Sequence, residues 1–595
     1  MRLKTNKTKR GVCYYIIRSV NKNGKSSTET VEKLGYLDDI KEQYGCDDPM
    51  LWIEQRMDFL NEQERTEKNK KVLIPLDANA LIPSDAQQSF NIGYLFLQKI
   101  YYELKLDLIC AHISKRHAFK YDMNEIMSRL IFGRILFPGS KLSTYRQSFD
   151  LLEQPNFQYH QIQRALSVIA EEFGTIQTKL YKNSTDVIDR KTGVLYYDCT
   201  NFYFETEYED PISNADADEN DIAARKYAHS KQHQPSPLVQ MGLFMDYSGM
   251  PLAMCLDRGN KNEQLTLIPL EEKILQDFEL SRFIVCTDAG LSSVNNRKFN
   301  NFGERSFIST ISIKEMKKKQ KEWCLDPSEW HLEGSNEIFA ISHLEDTEED
   351  AKENYEKIFY KECIIDGYDE ERDISFDQIL IVTYSLKYRD YLRRTREAQV
   401  ERAQKLLDSG RATTDAKNQN DCRRFIKKKA VGKDKQDAAI SYSLDNDAIQ
   451  KEQKYDGFYA VVTNLAETDV SDIIKVNKGR WEIEESFRIM KNDFLSRPVY
   501  LSLSERIKAH FLTCFISLLV YRILERKLGC QYTCGNIVDT LRKMNMTKVK
   551  DIGYIPSYTR TGLTDALHEN VGFRTDYEIT RDKAMKGIIR KSKQR

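Results

Sequence analysis

The sequence predicts an α/β protein built on a mixed β-sheet with helices on both of its faces. Between residues 194 and 312, short β-rich runs and helical patterns follow in the order strand, hairpin, helix, strand, helix, strand. A charged stretch at 314–455 interrupts this order, and a strand and an amphipathic helix then resume it. The chain has 595 residues, which allows several domains at about 100–200 residues each.

Charge is balanced over the whole chain but segregated along it. Lys plus Arg and Asp plus Glu both total 90. Residues 1–10 nevertheless carry five cations and no acid, residues 387–435 carry sixteen cations against seven acids, and residues 345–377 carry fourteen acids against four cations. Basic blocks of this kind suggest a polyanionic partner that only some segments contact, although such blocks also keep large proteins soluble.

The cysteines and the N-terminus predict a reduced, cytoplasmic protein. Twelve cysteines are scattered without a C-x-x-C pair, which argues against a zinc site or a disulfide framework. The basic N-terminus is not followed by the apolar segment of a signal peptide. The apolar run at 511–521 is too short to span a bilayer and is typical of a buried helix.

We expect residues 1–85 to form a basic β-hairpin segment and a linker. The run GVCYYIIRSV is rich in β-formers, NKNG contains an Asn-Gly turn, and KSSTETVEKLG returns as the second strand. With the basic segment before it, this hairpin either lies on DNA or is purely structural.

Residues 86–188 are predicted to form a helical DNA-binding domain. Three segments have apolar residues at i, i+3 and i+4, namely IGYLFLQKIYYELKL, NEIMSRLIFGRILF and YHQIQRALSVIAEEF. The break FPGSK at 137–141 ends one helix and opens the next. Basic and tyrosine side chains suit DNA, although helical bundles have many other uses.

The core is predicted in two parts, residues 189–313 and 456–527, as an RNase H-like fold. Its expected strands are VLYYDCT, LVQMGLFMD, PLAMCLD, FIVCTDAG, RSFISTIS and GFYAVVTN. A mixed sheet of this order with helices on both faces is typical of that class. Residues 314–455, between the two parts, are predicted to form a large insertion domain, and residues 528–595 a C-terminal basic tail region.

Two aspartates occupy strand positions at which carboxylates are expected to be functional. Asp198 lies inside the first strand, in YYDCT, and Asp288 ends a later strand, in VCTDAG. Burying a carboxylate beside apolar strand residues is costly unless it is paired or binds a metal. The alternatives are a helix cap for Asp288 and a polar turn or edge residue for Asp198.

The segment GRWEIEESFRIMKND at 479–493 predicts an amphipathic helix with a third acid. At about 100° per residue, Glu484 shares a stripe with Arg480, Lys491 and Arg488, beside the apolar stripe. The same projection turns the other two glutamates outward. A carboxylate flanked by cations at the edge of a core suits a site that handles phosphate and metal together. The alternative is a set of surface ion pairs, each worth about 0.2–0.5 kcal/mol.

This arrangement of two strand aspartates, a large insertion and R-x3-E-x6-K on a helix resembles the DDE transposases of bacterial insertion sequences. It is most similar to the group with an insertion domain before the glutamate and the signature Y-x2-R-x3-E-x6-K. Arg480, Glu484 and Lys491 match this signature, and Asn477 stands in place of the tyrosine.

Further runs look like one subgroup of these transposases. They are HSKQHQPSPLVQMGLFMDYSGMPL, RGNKNE, RIKAHFLTCFISLLVYRILE and the hairpin ending EKLGYLDDI. An acid and a base are expected in that subgroup where Gln232 and Gln234 stand in this chain.

The resemblance implies metal-dependent phosphodiester hydrolysis and strand transfer. Two Mg²⁺ ions, for which Mn²⁺ would substitute, are expected about 3.5–4 Å apart. The expected catalytic residues and metal ligands are Asp198, Asp288 and Glu484. The cations expected to bind DNA phosphates are Arg480, Lys491 and Arg488.

The implied partners are double-stranded DNA at the element ends and at the target, bound by a homodimer or larger oligomer at the bacterial nucleoid. No G-x-x-x-x-G-K loop occurs, so no nucleotide cofactor is expected, and no membrane partner is expected either. Three alternatives remain at this point: an RNase H-like nuclease that cuts without joining, a DNA-binding protein whose acids no longer work, and an unrelated multidomain α/β protein.

Overall fold

A computed structural model describes residues 1–22, 25–68, 74, 79, 81–82, 84–210, 225–228, 236–333, 335, 337–369, 374–416, 420–431 and 439–595. The chain divides into two compact units, residues 1–86 and residues 87–595.

The N-terminal unit contains a three-stranded antiparallel sheet followed by two helices. Its elements are β1 (Arg2–Thr8), β2 (Gly11–Lys22), β3 (Lys25–Gly35), α1 (Leu37–Tyr44) and α2 (Pro49–Lys68). Strands β2 and β3 are the predicted hairpin, and its Asn-Gly turn at 23–24 falls outside the described residues. The basic segment before the hairpin is itself a strand, because β1 pairs with β2 along its whole length.

The second unit opens with a short strand, β4 (Ser89–Asn91), and six helices. These are α3 (Tyr94–Glu103), α4 (Leu106–Arg116), α5 (Met123–Leu136), α6 (Lys141–Gln147), α7 (Tyr159–Glu171) and α8 (Phe173–Ser184). The three helices predicted from apolar spacing are α3, α5 and α7, and the predicted break separates α5 from α6. Their apolar faces join one large core.

Among the described residues of this unit, ten strands form a mixed sheet and two more form a separate hairpin. In chain order they are β5 (Val194–Tyr203), β6 (Leu238–Asp246), β7 (Pro251–Arg258), β8 (Ile284–Thr287), β9 (Ser306–Thr310), β10 (Trp330–Leu332), β11 (Ile338–Phe339), β12 (Phe359–Asp369), β13 (Ile374–Tyr384), β14 (Ile426–Val431), β15 (Ala439–Leu444) and β16 (Phe458–Thr463). The sheet order is β11-β10-β12-β13-β16-β9-β8-β5-β6-β7, and β14 pairs with β15. Strands β5, β8 and β9 are parallel, whereas β5, β6 and β7 form an antiparallel meander. All six strands predicted for the core are present.

The stretch predicted as an insertion contributes to the same sheet. Strands β10 to β13 extend it beyond β16, since β13 pairs with β16 and β16 pairs with β9. A core of large apolar side chains around Trp330 and Phe359 joins these strands to β9 and β16.

Eight helices accompany the strands. They are α9 (Leu267–Asp277), α10 (Val294–Phe299), α11 (Lys318–Leu325), α12 (Glu348–Asn354), α13 (Leu386–Asp408), α14 (Asn446–Gln453), α15 (Val470–Lys478) and α16 (Trp481–Arg488). Helix α9 packs on one face of β5 and β8, against Leu195 and Val285. Helix α15 packs on the other face, against Tyr196 and Cys286. This second face carries the candidate site.

The C-terminal part returns to the helices of residues 94–184. It consists of α17 (Ser504–Lys527), α18 (Cys534–Lys543), β17 (Asn545–Val549), β18 (Gly553–Pro556), α19 (Gly562–Val571) and α20 (Asp582–Ser592). Helix α17 is long and apolar enough to cross a membrane, but 94% of its apolar window is buried inside the fold. It packs against α3, α5 and α7, as predicted for the apolar run at 511–521.

Candidate active site

The two predicted aspartates lie at the same level on neighbouring parallel strands. Tyr196 of β5 is paired with Cys286 of β8, and each aspartate follows its paired residue by two positions. Because side chains alternate along a strand, Asp198 and Asp288 point to the same face as Tyr196 and Cys286. Adjacent strands are about 4.8 Å apart, and Asp288 directly follows β8, so both carboxylates are expected at the same edge of the sheet.

Backbone amides bond to both carboxylates. Asp198 Oδ1 accepts from the amide of Cys199 at 2.7 Å, and Asp288 Oδ1 accepts from the amide of Leu291 at 3.1 Å. Asp288 thus caps the short 3-10 turn after β8, which was the alternative role considered for it.

The end of α15 and the start of α16 are held directly on this face. The Tyr196 hydroxyl donates to the carbonyl of Val476 at 3.0 Å. A Cβ atom at Gly479 would lie 2.1 Å from the same hydroxyl, so only glycine allows the chain to pass this close to β5. Helix α16 therefore begins directly beside the strand that carries Asp198.

Two cations of the segment 479–493, Arg480 and Lys491, lie close to the two strands associated with the aspartates. Lys491 donates to the hydroxyl of Thr200, two residues beyond Asp198, and its ammonium lies 5.4 Å from the ring centre of Phe202. Burial raises the pKa of Cys286 to about 12, and the nearby charge of Arg480 opposes that rise. Arg480 thus lies near β8 and Lys491 over β5. The turn that carries Lys491, Ile489–Asp493, is π-helical, a departure from α-geometry often found at functional sites.

The three glutamates of α16 have different surroundings. Glu484 is exposed and lines a pocket together with Arg480. Glu485 bonds twice to Arg488, at 2.7 and 2.5 Å, and these bonds lower the pKa of Glu485. Arg488 is therefore neutralised by its own helix, unlike Arg480, for which the described residues provide no ion pair.

Glu482 was predicted to face outward, and this prediction is wrong. Its side chain is only 16% exposed and lies 3.5 Å from Arg522 and 3.7 Å from Arg526 of α17. Burial raises its pKa, and the two guanidinium groups oppose the rise. Arg522 also donates to the Glu482 carbonyl at 3.2 Å and to Ser486 at 2.9 Å, so this side of α16 is anchored to α17.

The three predicted metal ligands do not form one cluster among the described residues. Among the described residues, no three His, Cys, Asp or Glu side chains are grouped closely enough to hold a metal ion. Asp198 and Asp288 nevertheless supply hard oxygen ligands at one level, a donor set that suits Mg²⁺ or Mn²⁺. Glu484 lies on the helix that packs against β5, outside such a group.

A pocket of about 690 Å³ extends from α16 across β16 to α13. Its aromatic lining includes Tyr388, Tyr391, Tyr459 and Trp481, and its cationic lining includes Lys387, Arg394, Lys478 and Arg480. Alternating aromatic and cationic side chains suit nucleotides, because the rings stack on bases and the cations pair with phosphates. Sequence analysis missed the part contributed by α13. Its signal is the spacing of Tyr388, Tyr391 and Arg394, which places the three on one helix face.

Asn477, which replaces the signature tyrosine, is buried at the edge of this pocket. Its amide donates to the hydroxyl of Tyr459 at 2.9 Å, and that hydroxyl lies 2.7 Å from Thr310 Oγ1. A tyrosine hydroxyl thus lies against Asn477, and it comes from β16. The predicted departures at Gln232 and Gln234 fall outside the described residues.

Comparison with known proteins identifies the class. A family model described as the transposase DDE domain matches residues 211–520, more than half of the 595 residues. The chain therefore belongs to the DDE-domain transposases. The match includes Asp288 and Glu484, whereas Asp198 precedes it.

Two further comparisons add nothing specific. No curated protein matches the chain. A cryo-EM structure of a piggyBac transposase synaptic complex with hairpin DNA is similar at a TM-score of 0.33 and 7% identity, over 84% of this chain and 87% of that chain.

Proposed function

We propose that this transposase binds the terminal inverted repeats of an insertion sequence, cleaves there, and joins the 3′ ends to target DNA. The single observation that carries the proposal is the matched level of Asp198 and Asp288 on adjacent parallel strands. The strand order β7-β6-β5-β8-β9, with β5, β8 and β9 parallel, supports an RNase H-like core that places these acids together.

In the proposed mechanism, Asp198, Asp288 and Glu484 hold divalent cations. When bound, two Mg²⁺ ions supply activation of the attacking oxygen and stabilisation of the leaving oxygen, and Mn²⁺ is expected to substitute. Glu484 would supply the third carboxylate from α16, the helix that packs against β5.

The remaining residues orient the DNA. Arg480 and Lys491 bracket the acids and pair with phosphates on either side of the cleaved bond. Arg488 is expected to contribute only when DNA displaces it from Glu485. The pocket between α16 and α13 holds nucleotides beside the cleaved bond, with rings against bases and cations against phosphates. Several copies of the chain in the bacterial cytoplasm would hold the two ends together with the target.

The test uses labelled duplexes carrying the sequence that borders the gene, an unlabelled target, and Mg²⁺ or Mn²⁺. Wild type is expected to nick the end and join it, and Glu484→Gln to bind equally well but do neither. The matched control is Glu467→Gln, since Glu467 is an exposed glutamate in the turn between β16 and α15.

The outcomes separate the alternatives. Cutting without joining by wild type would identify a nuclease. Binding without cutting by wild type would identify a DNA-binding protein whose acids no longer work. Loss of DNA binding in Glu484→Gln would show that Glu484 acts in binding rather than in the chemical step.

A further inference from the structure

A second pocket, of about 310 Å³, lies away from the aspartates and is lined by several cationic side chains. The turn between α5 and α6, helix α7, the segment 495–501 and the start of α17 form its wall, and we call it the Lys141 pocket. Its charged lining consists of Arg134, Lys141 and Arg497, with His510 beside them. All the lining residues are among those described, and none of them is acidic.

Lys141 is buried in this pocket without a carboxylate. Its side chain is only 6% exposed, and its ammonium lies 3.5 Å from His510 Nδ1. His510 Nε2 lies 3.3 Å from the carbonyl of Ser496, so Nε2 carries the proton and Nδ1 accepts from the lysine. Within the described chain Lys141 forms no ion pair. Burial, reinforced by the charge of Arg134, lowers the pKa of Lys141 to about 7.

Neither arginine of the pocket forms an ion pair with the residues that the structure describes. Arg134 donates to the carbonyls of Phe494 at 3.1 Å and Gly139 at 3.1 Å, which satisfies hydrogen bonds but does not neutralise the guanidinium. Arg497 has a buried Nη1 without a hydrogen-bond partner among the described residues, and burial lowers its pKa. Its guanidinium lies 5.8 Å from the ring centre of Tyr203.

Three buried or half-buried cations around one cavity are costly unless an anion joins them. Charges in protein interiors are normally paired, because removal from water is otherwise uncompensated. Ser140 and Tyr159 also line the cavity, and hydroxyl groups of this kind suit an anion with several oxygens. A tetrahedral phosphate fits both the charge and the donors.

We propose that the Lys141 pocket binds a backbone phosphate of the DNA, at a distance from the cleaved bond. The assignment to DNA rests on the proposed function. Val499, in the pocket wall, pairs with Phe204 at the far end of β5, six residues beyond Asp198. At about 3.3 Å per strand residue the pocket lies roughly 20 Å from the acids. That spans about six nucleotides of a straight duplex at about 3.4 Å each.

The experiment compares Lys141→Met and Arg497→Gln with wild type and a matched control. The control is Arg282→Gln, because Arg282 is exposed in the turn before β8, at the sheet edge opposite the aspartates. Affinity for end DNA is measured by fluorescence anisotropy at several salt concentrations. The stabilising effect of inorganic phosphate is measured as a shift in the thermal midpoint. Ethylation interference then locates the contacted phosphate.

If the pocket binds DNA, each pocket variant should bind end DNA roughly tenfold or more weakly, with a salt slope lower by about one. Arg282→Gln should match wild type. Phosphate should stabilise wild type but not the pocket variants. Ethylation of one phosphate about six nucleotides from the cut should weaken DNA binding by wild type. The same ethylation should leave DNA binding by Arg497→Gln unchanged.

Other results would overturn the inference in distinguishable ways. If the variants bind DNA as tightly as wild type and still cleave it, the pocket takes no part in DNA binding, and the proposed function stands. Phosphate stabilisation lost in the variants, with DNA affinity unchanged, would assign the pocket to a free phosphate compound instead. If wild type binds no DNA, both proposals fail. Removing a buried unpaired charge should not lower stability, so an unfolded Lys141→Met protein would also contradict the argument.

Discussion

At the scale of single residues, Asn477 has a structural role that the sequence signature does not indicate. The signature of related transposases has a tyrosine there, whereas this chain has a buried asparagine whose amide bonds to Tyr459 of β16 at 2.9 Å. The same asparagine lies 3.7 Å from Cys286 on β8. The side chain thus links α15 to two strands of the sheet, immediately before Arg480.

Restoring the signature tyrosine is therefore expected to harm this protein. Asn477→Tyr inserts a ring where Tyr459 and Cys286 already lie, and overpacking of this kind costs about 1–3 kcal/mol. Urea unfolding should show that loss, and cleavage should fall with it. Tyr459→Phe is the companion variant, since it keeps the ring and removes the hydroxyl, at a cost of about 1–3 kcal/mol. A more active Asn477→Tyr protein would contradict this account.

Lys141 gives a second prediction at this scale, in the pH dependence of stability. Its folded pKa of about 7 is below the ordinary value of 10.5, so the folded state holds this proton less tightly than the unfolded state. The resulting destabilisation is present in full below pH 7, shrinks as pH rises, and vanishes near pH 10.5. The titratable groups around the ammonium do not reverse the direction in which stability changes with pH. Burial keeps the pKa of His510 well below its usual range and raises that of Cys514.

The measurement is the difference in unfolding free energy between Lys141→Met and wild type at pH 6, 8 and 9.5, without phosphate. The variant should be more stable by the largest margin at pH 6 and by a shrinking margin above pH 7. A margin independent of pH would mean that Lys141 holds its proton with an ordinary pKa.

At the scale of secondary-structure elements, α16 is positioned by contacts on two sides. Gly479 allows its first turn to approach Tyr196, and Arg522 of α17 holds Glu482 and Ser486 on the opposite side. The helical projection correctly predicted the apolar, core-facing stripe of this segment, since Ile483, Phe487 and Met490 are buried. It was wrong for Glu482, because the cations that cover this glutamate lie about forty residues later in the chain.

Gly479→Ala should displace α16 from the sheet. A Cβ atom 2.1 Å from the Tyr196 hydroxyl must push apart two buried elements, at a cost of about 1–3 kcal/mol. The cleavage rate is expected to fall by more than the loss of folded protein alone would cause, because the helix carries Arg480, Glu484 and Lys491. The readout is the cleavage rate at a temperature where the variant remains fully folded.

The matched control is Gly535→Ala in α18. A Cβ atom there meets nothing within 4 Å, and alanine is favoured over glycine in a helix by about 0.5–1 kcal/mol. The control should be as stable as wild type or more stable, with unchanged cleavage. If Gly479→Ala cleaved as fast as wild type, the close approach to Tyr196 would not determine the position of α16 in the active site.

At the scale of the whole molecule, the sequence predicted local elements better than their long-range assembly. The strands of the core were predictable because apolar β-formers cluster between turns, and the two aspartates because carboxylates are rare in such runs. The pairing of β17 with β4 joins residues more than 450 positions apart, and no local pattern encodes it. The same limit applied to the Lys141 pocket, whose cations come from α5, α6 and the segment after α16.

The pairing of β17 with β4 gives the C-terminal region a structural role. This role can be tested separately from DNA binding. Helix α20 packs on α3, with Met585 and Ile588 buried, and Ser592 accepts a hydrogen bond from Gln98 of α3 at 2.9 Å. Deleting residues 579–595 removes this packing, at about 1.5–3 kcal/mol for each large apolar side chain. The truncated protein should therefore unfold at a lower temperature and lower urea concentration.

The comparison variant keeps the helix and removes its exposed charge, by Lys583→Gln and Lys586→Gln, both exposed in α20. If the region acts mainly through packing, truncation lowers the thermal midpoint and the double variant leaves it unchanged. If the region is only a basic segment that contacts DNA, truncation leaves the midpoint unchanged, and both proteins lose DNA affinity to a similar extent. The pairing of β17 with β4 and the burial of α20 favour the first outcome, because both elements close the same core that supports α17 and, through Arg522, the helix of Glu484.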